Sequence, residues 1–138
     1  MSIPFDIHTR RGYRLPTSIE WNYCSQAGST TQWSWGNSDE MADRYAWSLR
    51  NSGMRTHPVG GLRPNPFGLF DMNGNVWEWI HDTPRPSGTQ TVGDEPRYLR
   101  GGTFLNDVES IGFDATIANQ PHHHTGADGF RVVRRIFE

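Results

Sequence analysis

Gly68-Leu69-Phe70-Asp71-Met72-Asn73-Gly74-Asn75-Val76-Trp77-Glu78-Trp79 is the most informative stretch of this chain. It places four oxygen-bearing side chains, Asp71, Asn73, Asn75 and Glu78, around a glycine, and flanks the last carboxylate with two tryptophans. Asp and Asn at every second position suit a tight turn, because their side chains bond nearby backbone and tolerate left-handed geometry. Gly74 permits a positive φ within it. Such a turn can converge carboxylate and carbonyl oxygens, the donor set of a hard cation such as calcium. The spacing is too short for an EF-hand, whose last carboxylate stands about twelve positions along. The alternative is a hydrogen-bonded turn with Glu78 tied to an arginine.

Composition bounds the reading. A chain of 138 residues makes one domain with a modest core. Its 12% aromatic content excludes a disordered segment, and fifteen glycines and nine prolines break it into short pieces. The net charge of -2 gives no pull toward nucleic acid or anionic lipid. All thirteen basic residues are arginine, suited to bidentate pairing and aromatic stacking. No apolar run is long enough to span a membrane, and no leader is visible at the start. The single cysteine, Cys24, excludes an internal disulfide, so a cytoplasmic location is expected.

Thr17-Ser18-Ile19-Glu20 is a capping box, which predicts a helix over residues 18–27 that stops at Gly28. Ile19 and Tyr23 share one face of it; Glu20, Cys24 and Ala27 lie on another. A short helical piece is expected within residues 39–49, and a loop over 50–67, where Pro58, Pro64 and Pro66 intervene. Strands are expected at 76–80, 98–104 and 129–136, the last two as antiparallel partners, with a surface loop over 83–96.

The opening stretch, taken with three further matches in order, resembles the formylglycine-generating enzyme, or sulfatase-modifying factor, family. The matches are Arg14-Leu15-Pro16-Thr17 with Glu20-Trp21 and Tyr23; Pro58-Val59-Gly60 with Pro64-Asn65-Pro66-Phe67-Gly68-Leu69; and Leu99-Arg100-Gly101-Gly102-Thr103-Phe104 with a terminal Gly129-Phe130-Arg131-Val132. The resemblance implies an α+β, loop-rich fold related to C-type lectins, with short antiparallel strands and few helices. It implies a lead-in over 1–13 and a domain over 14–138 that corresponds to the C-terminal part of the family domain. Either those thirteen residues suffice for a minimal fold, or the missing strands come from a second copy or a complementing chain, since exposed strand edges favour association.

The resemblance also implies a structural calcium ion at the opening turn. Asp71 and Glu78 would supply side-chain oxygens, and Asn73, Gly74 and Val76 backbone carbonyls. A second family calcium site uses an Asn after Tyr-Ala; here Trp47 follows Tyr45-Ala46, so that site is expected to be lost.

Family enzymes oxidise a cysteine of a substrate protein, using two cysteines after the Gly-Gly motif and a bound copper ion. Thiolate pairs suit copper(I). This chain has no cysteine beyond Cys24, and Asn106 stands where the first would fall. No catalytic residue and no copper are therefore expected. The arginines typical of this segment are replaced by Phe113-Asp114-Ala115-Thr116-Ile117.

The run His122-His123-His124 could give one ion only His122 and His124, since neighbours on an extended segment point to opposite faces. Asp114 or Asp128 would have to complete such a site, and no metal there is the favoured reading. The functional expectation is a non-catalytic, bacterial recognition module for a peptide, protein or small ligand, without nucleic acid or membrane. Asn106, Asp107, Glu109, Phe113, His122 and His124 are its candidate contacts. Related scaffolds serve as hypervariable binders, diversified between the Arg-Gly-Gly and Gly-Phe-Arg motifs. The alternative is an oxidoreductase acting on a protein cysteine or, as in related sulfoxide synthases, a small thiol.

Overall fold

The protein is described by a computed structural model over residues 12–84 and 95–136. Most of the expected 83–96 loop lies outside those residues. The fold is loop-rich α+β. One helix, α1 (Ser18–Gln26), and two 3₁₀ turns, Asp39–Arg44 and Val108–Ser110, join short strands.

Helix α1 begins as its capping box dictates. The Thr17 hydroxyl accepts from the Glu20 amide at 3.2 Å, and the Glu20 carboxylate accepts from the Thr17 amide at 2.8 Å. Arg14 adds a bidentate pair to Glu20 at 2.6 and 2.7 Å, holding its carboxyl at a pKa of about 2. Left-handed Ala27 ends the helix one residue before the expected glycine, its amide bonded to Tyr23 O at 3.1 Å. Trp21 and Ser25, one turn apart, face inward. Ile19 and Tyr23 do share a face, and it is the exposed one.

Strands β1 (Tyr13–Arg14), β2 (Trp77–Trp79), β3 (Arg97–Arg100), β4 (Thr116–Asn119), β5 (Asp128–Phe130) and β6 (Val133–Arg134) form two sheets. One has the order β4-β3-β2-β5; the other pairs β1 with β6. Two expectations are corrected here. The 98–104 and 129–136 segments are not antiparallel partners. β3 lies antiparallel between β2 and β4, whereas β5 pairs parallel with β2, Glu78 opposite Gly129. Strand β3 stops at Arg100 because Gly101 and Gly102 take φ of +93° and +78°. A side chain at 102 would lie 2.5 Å from Ile111 Cγ2, so this close crossing requires glycine. The 129–136 segment is also two strands rather than one. It breaks at Arg131 and Val132, and its second half pairs with β1.

Trp21, Met72 and Ile80 form one core cluster, flanked by Cys24, Leu69 and Tyr98. Trp33, Ala42 and Val108 form another, with Trp35 packed against it. Fully buried side chains such as Ile80 and Leu99 each contribute about 1.5–3 kcal/mol by leaving water. The first cluster places helix α1 directly behind the opening turn, and that contact positions the site.

Candidate functional site

Residues 71–76 turn sharply. Asp71, Gly74 and Asn75 all adopt positive φ, between 56° and 73°. Asp and Asn tolerate this region better than other side chains, which explains the residue choice. Gly74 is required for a second reason: a Cβ there would lie 2.1 Å from the Trp47 carbonyl oxygen.

Every polar side chain of the turn is committed to the protein itself. Asp71 Oδ2 accepts from the Gly60 amide at 2.7 Å. Asn73 donates to Ile111 O at 2.5 Å. Asn75 clamps residue 57 from both sides, accepting from the His57 amide at 3.0 Å and donating to His57 O at 3.1 Å. His57 in turn stacks on Trp47 with ring centroids 3.7 Å apart. Glu78 is 6% exposed. Its carboxylate accepts from Trp21 Nε1 at 2.8 Å and side-on from Arg131, with Nε–Oε2 2.6 Å and Nη2–Oε1 2.5 Å. Arg131 Nη2 also reaches Phe70 O and Asp71 O at 3.1 and 3.3 Å. Burial disfavours the Arg131 cation, but the hydrogen bonds and charge of Glu78, helped by Asp71, hold its pKa above the ordinary guanidinium value.

Of the two readings of this turn, the side chains are arranged as in the hydrogen-bonded one. Asp71 and Glu78, the two side chains expected at a calcium ion, are bonded to the Gly60 amide and to Arg131, and the Asn73 side chain, of which only the main-chain carbonyl was expected to serve, to Ile111 O. Among the described residues no group of three or more His, Cys, Asp or Glu could hold a metal ion.

Beside the turn lies a cleft of about 530 Å³. Val59, Leu69, Phe70, Val76 and Phe130 give it apolar walls, and Glu78 and Arg131 line its polar end.

The candidate ligand contacts lie elsewhere, along residues 105–126, and none of them lines this cleft. Asn106, at the position of the first family cysteine, closes a turn. Its side chain accepts from the Thr103 amide at 2.9 Å, and its carbonyl accepts from the Leu49 amide at 2.9 Å. Asp107, Glu109, His122 and His124 are exposed, and Phe113 is half-buried. His124 Nδ1 bonds His122 O at 3.0 Å, so the two are neighbours. Asp128 is taken by the Thr125 amide at 2.9 Å. These residues thus lie along one segment, apart from the cleft beside the turn.

Cys24 is half-buried against the Trp21 cluster, and desolvation pushes its thiol pKa up. A raised pKa makes a poor thiolate. Sequence reasoning held Glu78 tied to an arginine as one reading of the turn but did not name Arg131, which it quoted only as part of a motif. The signal was present: a carboxylate between two tryptophans in a strand needs a cation once buried.

Three comparisons bear on these features. The profile of the sulfatase-modifying factor enzyme 1-like domain matches residues 2–136. The formylglycine-generating enzyme of Mycobacterium tuberculosis is 42% identical over 49% of this chain and 26% of its own length. The mouse protein named inactive C-alpha-formylglycine-generating enzyme 2 is 32% identical over 72% of this chain and 34% of its own. Among solved structures, Treponema denticola variable protein 1 superposes with a TM-score of 0.83 at 31% identity, covering 95% of this chain and 50% of that one. The chain spans about half, or less, of the length of these proteins.

Proposed function

Because the chain belongs to the family of sulfatase-modifying factor enzyme 1-like domains, we propose that it is a non-catalytic recognition module of that family. It binds a peptide, protein or small ligand through residues 105–126. One observation carries this reading: the position of the first family thiol is held by Asn106, spent on a turn, and no cysteine follows Cys24. The copper-binding thiol pair has no equivalent in this sequence.

The displayed segment suits recognition. Buried Phe104, Val108 and Ile111 pin it to the scaffold, while Leu105, Asp107, Glu109 and Ile117 stay exposed between and beyond the anchors. Side chains with no packing duty can change without loss of fold. The similarity to a protein named as variable is in keeping with exposed positions that can change. Relatives named formylglycine-generating enzymes favour the oxidoreductase alternative.

Two measurements separate these readings. Incubation of a Cys-x-Pro-x-Arg peptide with the protein, copper and oxygen is expected to leave its mass unchanged; conversion that survives Cys24→Ala overturns the non-catalytic reading. Peptides selected from a displayed library are expected to lose binding to a Leu105→Ala/Glu109→Ala/Ile117→Ala variant. Undiminished binding would move the ligand site off this segment.

A further inference from the structure

We propose that strand β4 is the dimerisation edge of this protein, pairing antiparallel with β4 of a second copy about a two-fold axis through Ile117. The four-stranded sheet ends at β4, and among the described residues no strand lies beyond it.

The register fixes which groups this edge offers. Antiparallel ladders alternate hydrogen-bonded and non-hydrogen-bonded pairs. The Gly101 amide donates to Ala115 O at 3.4 Å, so the bonded pairs that follow are Leu99 with Ile117 and Arg97 with Asn119. Thr116 and Ala118 therefore turn their amides and carbonyls outward. Among the described residues nothing bonds those four groups, and Thr116, Ile117 and Ala118 are all exposed.

The edge is complementary to itself. Within β4, one antiparallel register satisfies all four groups: Thr116 opposite Ala118 of the second copy, and Ala118 opposite Thr116 of the second copy. Four main-chain hydrogen bonds then cross between the copies. Ile117 falls on the axis, opposite its own equivalent, in a non-hydrogen-bonded pair, where side chains come closest. Cross-strand pairs of β-branched residues stabilise a sheet. Ile117 is 37% exposed beside fully buried Leu99, so it has apolar surface left to cover.

Nothing on the edge opposes this. From Thr116 to Asn119 there is no charge and no proline, the devices that ordinarily blunt an edge strand. Asp114 would stand opposite Gln120 of the second copy rather than another carboxylate. A net charge of -2 per chain repels only weakly. The other edges are less suited. β5 is three residues long, carries Asp128 and would bring Gly129, with no side chain, to the axis. β6 is two residues long and carries Arg134, a like charge on each copy. Pairing at β4 joins two four-stranded sheets into one of eight strands. The contact is short, so the dimer is weak and concentration-dependent. It takes Ile117 out of ligand contact; Leu105, Asp107 and Glu109 lie outside β4.

Sedimentation of the protein alone tests this, whatever residues 105–126 bind. The mass of the wild type is expected to rise from monomer toward dimer between about 1 µM and 1 mM. Ala118→Pro deletes an outward amide from each copy and leaves the bonds to β3 in place. It should weaken dimerisation roughly tenfold or more. Ile117→Asp sets two carboxylates face to face and should stay monomeric, whereas Ile117→Val should dimerise as the wild type does. In a Cys24→Ser background, Ile117→Cys places two sulfurs at the axis. Cα atoms of a non-hydrogen-bonded pair lie about 4.5 Å apart, within the span of a disulfide. Mild oxidation should cross-link that variant and leave Ala118→Cys largely free. A wild type still monomeric at about 1 mM overturns the proposal. So does a dimer that either Ala118→Pro or Ile117→Asp leaves intact, or one that cross-links as readily at position 118 as at 117. Should a variant fail to fold, the wild-type mass and the cross-linking pattern decide.

Discussion

The 68–79 turn and the 105–126 segment carry the two sets of candidate site residues, and the fold uses them in opposite ways. In the turn, Asn73, Asn75 and Glu78 are buried, and each side chain is bonded to another part of the protein. In the segment, Asp107, Glu109, His122 and His124 stand in solvent, and the buried positions between them are apolar. Polarity alone therefore says little about function. A buried polar side chain has to be satisfied by the protein, since leaving it unpaired costs about 1–3 kcal/mol. An exposed one can be satisfied by water and is accessible to a partner.

The contrast is broken most severely at Glu78. Replacing it by alanine strands the half-buried Arg131 cation and removes the Trp21 acceptor. A loss of about 3–5 kcal/mol is expected, the cost of splitting a buried pair, and would be read from urea unfolding midpoints. The double variant Glu78→Leu/Arg131→Met, which removes both charges, should recover much of that loss. Equal destabilisation of the single and double variants would mean that packing at 78, not charge satisfaction, governs the turn.

A smaller effect is expected at the other Glu–arginine pair, which sharpens the role of burial. Glu20 is held at a pKa of about 2 by Arg14 and by the helix cap. Its folded pKa is depressed, so its contribution is present above the unfolded value near 4.5 and is lost as pH falls toward 2. The Glu20 side chain is 35% exposed; solvent screening limits the charge contribution to under about 1 kcal/mol. The stability of Glu20→Gln should fall less steeply than that of the wild type across that pH window. An unchanged acid limb would show that the cap, rather than the ion pair, is what matters at this position.

The smallest effects belong to the displayed segment. Single substitutions of Leu105, Glu109 or Ile117 by alanine should change stability by no more than about 0.5 kcal/mol, as exposed positions do. A loss several times larger, measured in the same unfolding assay, would show that the segment is structural and would remove the contrast between the two regions.

Much of the local structure was legible in the chain. The capping box of Thr17 and Glu20, the glycine at 74 and the strand at Trp77–Trp79 follow from short-range chemistry, and the structure forms all three. The partners of those elements were not legible. Residues 129–136 read as one strand paired with 98–104, because alternation reports the faces of a strand but not its neighbour. Residues 116–119 gave no strand signal, since their side chains are largely exposed and their place in the sheet is set by the register with β3.

The sequence by itself determined the family, the α+β class, the helix start and the absence of a thiol pair in the segment where catalytic cysteines would fall. These depend on residue identity and on spacings of a few positions, which local sterics and hydrogen bonding translate directly. Only the tertiary structure decided which group meets the buried Glu78 carboxylate. Its partner is Arg131, some fifty residues away in the chain and 2.5 Å away in space. Sheet pairing makes that meeting: β5 lies parallel to β2, with Gly129 opposite Glu78, and the next residues bring a guanidinium onto the buried carboxylate. Long-range register of this kind is set by the packing of the whole core, which no local pattern in the sequence specifies.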